Sequence, residues 1–301
     1  MALNISSKGL SGSIPPCIGN LSSITSLDLS NNAFLGKIPT ELGHLGQISY
    51  LNLSINSLEG HIPDELSLCS KLKVLSLCNN SLQGEIPPSL TQCTHLQQVV
   101  LCNNKLQGRI PTKFGMLHEL KTLDLSNNAL TGDIPPLLGS SPSFVHVDLG
   151  GNQLTGGIPE FLANSSSLQV LTLFNSSTLT NRNNLVGSIP PVTAIAAPFQ
   201  FLSLAQNKLR GGIPASLGNL SSLVRLSLAV NNLVGSIPGS LSELRKLERL
   251  ILTYNNLSGP VPQSIFNVSS LQYLEMANNS LISQLPVYHQ ILVTGFQTYK
   301  A

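Results

Sequence analysis

The chain has 301 residues, of which 16 are Lys or Arg and 14 Asp or Glu, for a formal net charge of +2. At 42% hydrophobic residues it is too apolar and too weakly charged to be disordered. Its longest basic cluster, Arg245-Lys246, gives no phosphate-tracking stripe, so nucleic acid is not an expected partner. No run approaches the ~18 to 20 apolar residues of a membrane span: residues 192–201 are short and broken by Pro198. Residues 1–12 lack the basic and then apolar layout of a signal peptide.

A few residue types recur: 56 Leu, 24 Gly and 19 Pro, with no Trp. Proline follows Ile, Val or Leu at positions 15, 39, 63, 87, 111, 135, 159, 190, 214, 238, 262 and 286, always 24 apart except for the 31 between 159 and 190. Twelve units of the form L-x-x-L-x-L-x-x-N-x-L-x-G-x-I-P fit, as in Leu123-Asp124-Leu125-Ser126-Asn127-Asn128-Ala129-Leu130-Thr131-Gly132-Asp133-Ile134-Pro135. Each unit opens on an L-x-L pair, such as Leu51 and Leu53 or Leu226 and Leu228, whose period of two predicts a short strand with both leucines on one side. Successive strands must then stack in parallel. An Asn follows each strand, at 32, 56, 80, 104, 128, 152, 183, 207, 231, 255 and 279. Its amide can both donate and accept, so a stack of such residues would satisfy backbone groups that the turn leaves without ladder partners. The Gly four residues on suits a left-handed turn, and the Pro, which cannot donate, belongs outside the main ladder. The extra seven residues fall between Leu173 and Asn183, within the eight positions 175–182; loops at such positions often carry recognition, although a tolerated surface insertion reads equally well.

This pattern is that of a leucine-rich repeat, and its L-x-G-x-I-P signature resembles the plant extracellular class. Segments such as Gly218-Asn219-Leu220-Ser221-Ser222-Leu223 and Leu247-Glu248-Arg249-Leu250-Ile251-Leu252-Thr253-Tyr254-Asn255-Asn256-Leu257-Ser258-Gly259 are similar to ectodomains of plant leucine-rich-repeat receptor-like kinases of the pattern-recognition type. The resemblance covers residues 1–286. It implies an α/β solenoid, a horseshoe or right-handed superhelix of about twelve 24-residue repeats with a parallel sheet on the concave face. It further implies a peptide or microbial ligand on that face, a leucine-rich-repeat co-receptor as partner, and a place at the extracellular face of the plasma membrane, in defence or developmental signalling. Residues 287–301 form an off-pattern tail. The capping cysteines and Trp, membrane helix and kinase of that family have no counterpart here, and the first repeat carries Lys8 where the Asn series would start. A fragment of a longer product is therefore expected. An alternative is a secreted protein similar to polygalacturonase inhibitors, binding a cell-wall hydrolase. An enzyme is not expected: the six His residues occur singly, without a nucleophile–base constellation, and neither zinc-ligand spacing nor a cofactor motif is present.

The residues between the leucines are free of structural duty, which makes their columns the expected ligand site. Just before the L-x-L pair the column ends in Phe201, Arg225, Arg249 and Tyr273, with Phe174, Tyr254 and Glu275 on adjacent columns. Aromatic rings beside guanidinium groups are typical of binding hot spots. Residues 161–242 contain no acid but include Arg182, Lys208, Arg210 and Arg225, so this region should attract a carboxylate or sulfate. The competing reading is surface variation, with Phe174 packed under the inserted loop. Asp124 and Asp148 fall in register, a like-charge pair that His146 or a cation would have to offset. Among five cysteines, Cys78 and Cys102 fall on one position of neighbouring repeats, close enough for a bond. Cys69 and Cys93 are read as small semi-buried replacements for the Asn at 20, 164 and 219. Ten Asn-x-Ser sequons occur, giving glycosylation candidates Asn20, Asn79, Asn164, Asn175, Asn219, Asn256 and Asn267. At Asn4, Asn52 and Asn278 the sequon recurs, and on the first two a glycan would obstruct the inner face.

Overall fold

The structure, a computed structural model, describes residues 1–160, 166–174, 183–192 and 198–282. The insertion at 175–182 and the tail at 287–301 lie outside the described residues, as do Asn164, Asn175 and Arg182. The chain divides into two compact units, residues 1–153 with 176–181, and residues 154–175 with 182–301.

In the first unit the L-x-L pairs form three-residue strands, Ala2–Asn4, Ser26–Asp28, Tyr50–Asn52, Val74–Ser76, Gln98–Val100, Thr122–Asp124 and His146–Asp148, stacked in parallel in sequence order. Register follows the repeat: Leu27 lies opposite Leu51, and Leu51 opposite Leu75. The second unit repeats this with Val170–Thr172, Phe201–Ser203, Arg225–Ser227, Arg249–Ile251 and Tyr273–Glu275. The leucines of the pairs are buried from Leu27 and Leu29 to Leu250 and Leu252, whereas Leu3 in the first strand is half-buried. A leucine buried in this way contributes roughly 2 kcal/mol of transfer free energy, which each repeat gains only against its neighbours.

The conserved geometry of the turn after each strand comes from the Asn series. Asn128 is buried; its Nδ2 donates to the carbonyls of Leu125 at 3.1 Å in its own repeat and of Leu101 at 3.1 Å in the preceding one. Its Oδ1 accepts the N–H of Leu106 at 3.0 Å. The same three-way bridge recurs at Asn32, Asn56, Asn80 and Asn104, and in the second unit at Asn231 and Asn255. Lys8, out of pattern, is taken up through its backbone N–H, which donates to Asn32 Oδ1 at 3.0 Å.

Two features were not read from the sequence. The residues around the repeat glycine form a second parallel sheet, in the first unit through Ser11–Ser13, Ala33–Lys37, Ser57–Gly60, Ser81–Glu85, Lys105–Arg109 and Ala129–Asp133, and in the second through Arg210–Gly211, Asn232–Gly235, Asn256–Pro260 and Ser280–Ile282. The glycine at its centre is left-handed, with φ of 77° at Gly36 and 78° at Gly108. Among the described residues, the one before a ladder Asn is left-handed as well, and there it is often not glycine: Asn31, Asn79, Asn103 and Asn127 tolerate this, whereas Ile55, Val230 and Tyr254 hold φ of 55° to 56°.

After the Pro a five-residue 3-10 turn closes the repeat, as in Thr40–His44 or Ala215–Asn219. A second glycine, Gly43 or Gly218, lets the next repeat approach: a Cβ at Gly218 would stand 2.3 Å from the Ser240 carbonyl oxygen. Following these turns come Leu45, Cys69, Cys93, Leu117, Leu220 and Leu244. This corrects the placement of Cys69 and Cys93: they occupy the leucine position, one residue beyond the column of Asn20 and Asn219, and are fully buried. Each thiol donates to a carbonyl of the preceding repeat, Cys69 to Leu42 at 3.4 Å and Cys93 to Leu66 at 3.5 Å. Burial, with the neighbouring Cys93, pushes the Cys69 thiol up to about 12, and burial pushes Cys93 to about 11, so both are unreactive thiols. Cys78 and Cys102 are joined in a disulfide across neighbouring strands.

Candidate functional site

In the second unit the strand pairing sets Phe201 opposite Arg225, Arg225 opposite Arg249, and Arg249 opposite Tyr273. Two guanidinium groups thus stand on adjacent strands, where like charges repel. Each leans outward onto a ring: Arg225 Cζ lies 5.3 Å from the centroid of Phe201, and Arg249 Cζ 5.4 Å from that of Tyr273. Cation–π attraction of this kind contributes about 0.5 to 1 kcal/mol at exposed sites and steadies otherwise mobile side chains. Both arginines are exposed, and among the described residues no carboxylate lies within ion-pair distance of either. Glu275, the nearest acid along the strand from Tyr273, accepts a hydrogen bond from the Tyr273 hydroxyl. That bond orients the ring beneath Arg249.

On the strands of Phe201 and Arg225 the next columns are small, with Ile251 following Ser227 in the first of them. Ser203 and Ser227 lie two residues along the strands, and Ala205 and Ala229, both buried, follow. Beyond them stand Val230, 36% exposed, and Tyr254, 59% exposed, each held in the left-handed turn. A floor of small side chains is thereby bordered by the arginine–aromatic row on one side and by an apolar rim on the other. Five of the expected residues, Phe201, Arg225, Arg249, Tyr273 and Glu275, are brought together directly, and Tyr254 forms the opposite rim. Phe174 is half-buried and stands at the end of its strand, level with Ala205 rather than with the arginines. Val230 was not expected; its only sequence signal is an apolar residue at the column occupied by Asn in other repeats.

The acid pair lies in the first unit, with Asp124 opposite Asp148. Asp124 accepts from the Ser126 N–H at 3.0 Å and hydroxyl at 2.6 Å. Burial, reinforced by the Asp124 charge and opposed by the Gly150 N–H bond at 2.9 Å, pushes the Asp148 carboxyl up to about 7. The shift favours the protonated form of Asp148, which would relieve the like-charge repulsion.

Two family profiles, both described as leucine-rich repeat, match the chain, one at residues 94–154 and 221–281 and the other at 23–45, 71–93 and 199–220. Together these cover more than half of it. The chain is a leucine-rich repeat protein. No curated protein matches this leucine-rich repeat chain in sequence. Solved structures do. A TDR receptor shares 34% identity at a TM-score of 0.88, over 93% of this chain and 48% of its own. The ectodomain of the Arabidopsis receptor kinase HAESA, in complex with an N-terminally extended IDA peptide hormone, shares 34% at a TM-score of 0.84, over 91% and 45%. The same receptor with IDA and the co-receptor SERK1 matches at 31% and 0.81, over 93% and 50%. The chain thus has the repeat architecture of plant leucine-rich-repeat receptor-kinase ectodomains and spans about half the length of those it matches. Among the described residues no helix is long and apolar enough to cross a membrane.

Of the glycosylation candidates in this repeat, Asn20, Asn219 and Asn267 are exposed at the ends of 3-10 turns, and Asn256 is exposed on the second sheet. Asn79 is exposed beside the disulfide, its amide 3.4 Å from Cys78 Sγ. On the inner strands, Asn52 spends its amide on the Tyr50 hydroxyl at 3.2 Å and on Asp28 at 3.4 Å.

Proposed function

We propose that this chain is the ligand-recognition part of an extracellular plant receptor-like kinase, and that the strand face of its second unit binds a peptide or protein ligand. The observation that carries this reading is the pair Arg225 and Arg249, exposed, seated between Phe201 and Tyr273, and without an acidic partner in the described structure. A ligand carboxylate or sulfate entering between the two guanidinium groups would take charge-assisted hydrogen bonds from both. An extended chain over Ser203, Ser227, Ala205 and Ala229 would reach Val230 and Tyr254 with its apolar side chains. That TDR and HAESA are receptors, the latter complexed with a peptide hormone and a co-receptor, supports a peptide ligand and a leucine-rich-repeat co-receptor for this chain too, in developmental or defence signalling. Glycans on the exposed candidates Asn20, Asn79, Asn219, Asn256 and Asn267 are consistent with that location.

Panning a displayed library of random linear peptides against the purified protein tests the assignment. Enriched peptides should carry an acidic group, and their affinity should drop at least tenfold, about 1.4 kcal/mol, in the Arg225→Glu/Arg249→Glu variant. Enriched peptides that bind wild type and variant equally would sink it.

A further inference from the structure

The Cys78–Cys102 disulfide lies in the first unit, and the two repeats it joins are already held together without it. Their strands, Val74–Ser76 and Gln98–Val100, pair in the same register as the strands on either side. Across the bridge the Leu77 N–H donates to the Val100 carbonyl at 2.8 Å and the Asn79 N–H to the Cys102 carbonyl at 2.9 Å. One repeat further on, where there is no bridge, Leu101 and Asn103 make the same bonds to Asp124 and Ser126, again at 2.8 and 2.9 Å. The bridged Cα atoms are 4.6 Å apart, close to the ~4.8 Å between any neighbouring strands. Ser30, Ser54 and Ser126 fill the same column in other repeats. The bridge is thus an addition to a ladder that closes without it.

The two sulfurs are in unequal surroundings. Asn79 Nδ2 donates to Cys78 Sγ at 3.4 Å, and Asn103 Nδ2, although it belongs to the residue next to Cys102, also reaches Cys78 Sγ, at 3.8 Å. Among the described residues no donor reaches Cys102 Sγ. Negative charge gathering on Cys78 as the S–S bond breaks is therefore stabilised by two amides, and charge on Cys102 by none. Thiol–disulfide exchange is faster when the sulfur that leaves is the one better able to carry that charge. The bridge also meets solvent. Cys78 is 8% and Cys102 7% exposed, against 0% for the free thiols Cys69 and Cys93. So narrow an opening admits a small thiol and excludes a protein one.

We infer that Cys102 is a site of S-thiolation by a small aliphatic monothiol. The incoming thiolate attacks Cys102 Sγ, a new S–S bond forms there as the Cys78–Cys102 bond breaks, and Cys78 leaves as the thiolate. The adduct then hangs from the strand face of the first unit. It is removed in one of two ways: Cys78 attacks Cys102 Sγ and expels the original thiolate, or a second monothiol attacks the sulfur of the adduct and departs with it as a symmetrical disulfide. By the second route two electrons pass from two thiols to the bridge, and both cysteines end reduced.

Reduced glutathione is the probe, added to the folded full chain at about pH 8, where an ordinary thiol is partly ionised. The protein is made without glycans, so that Asn79 keeps its free amide. Aliquots quenched early with N-ethylmaleimide and mapped by tandem mass spectrometry should carry glutathione on Cys102 and maleimide on Cys78. Asn79→Gly and Asn103→Gly remove the amides while suiting the left-handed turn, and each should slow the exchange by about fivefold. Circular dichroism melts check that both variants are folded. Glutathione found first on Cys78, or equally on both, overturns the inference without recourse to any variant. Folded variants that exchange at the wild-type rate overturn it too, as does a bridge that reacts only once urea has unfolded the chain, which would make it a purely structural one.

Discussion

Val230 is β-branched, 36% exposed, and sits at φ 55°, where its Cβ crowds its own backbone. Asn fills the same position at 31, 79, 103 and 127 without such strain. Val230→Asn should therefore raise stability by ~1 kcal/mol, read from denaturant midpoints; Tyr254→Asn should do the same while weakening the ligand. Strain retained at exposed apolar residues beside a candidate site fits a binding role better than a packing one. Asp148 makes a separate prediction. Its folded carboxyl titrates near about 7 against an ordinary 3.8, so between those values the folded state holds a proton that the unfolded state has released. Stability should be greatest below 3.8 and fall as pH rises to about 7, by about 1 to 2 kcal/mol once partial exposure is discounted. Asp148→Asn should flatten that slope in melts at pH 4, 5.5 and 7; an unchanged slope would exclude Asp148 as its source.

At the scale of the element, the Asn ladder is the critical joint. Asn128→Ala strands the Leu106 N–H and the Leu101 and Leu125 carbonyls in a buried turn, which should cost about 3 kcal/mol by chemical denaturation. Much of this was legible in the sequence, because the ladder, the L-x-L strands and the left-handed glycine each need one residue type at one position. The second sheet was not: its strands contain that same glycine and show no run of β-branched residues, so what makes them strands is pairing between repeats. The left-handed column was hidden because Ile55, Val230 and Tyr254 are there against their own preference. Cys69 and Cys93 were placed one residue early since a thiol fits either a polar or a leucine position, and only burial separates the two. In the candidate site, column membership of Phe201, Arg225, Arg249 and Tyr273 was readable, whereas the Tyr273–Glu275 bond and the seating of each arginine on a ring were not.

Across the whole molecule the scarce charges are unevenly divided: eight Lys or Arg face ten Asp or Glu in residues 1–153, and eight face four in the remainder. The second unit thus carries net positive charge around Arg225 and Arg249. An acidic ligand should associate more slowly as salt is added, on the order of tenfold between low and high ionic strength in stopped-flow measurements, with little change in dissociation. A salt-independent association rate would show that this field plays no part in capture.

The ladder has one further consequence. Away from the insertion, each ladder Asn binds backbone atoms at fixed offsets, three residues back in its own turn and 22 and 27 back in the turn before, and none of these atoms depends on the side chains displayed on the strands. Any turn of the solenoid can therefore follow any other. Unequal crossing-over in the gene, in steps of 24 codons, would delete, duplicate or reorder whole turns while every junction still closed, and what changed would be the order in which the exposed columns are read. Such a chain can acquire a new recognition surface by shuffling alone, before a single codon has mutated.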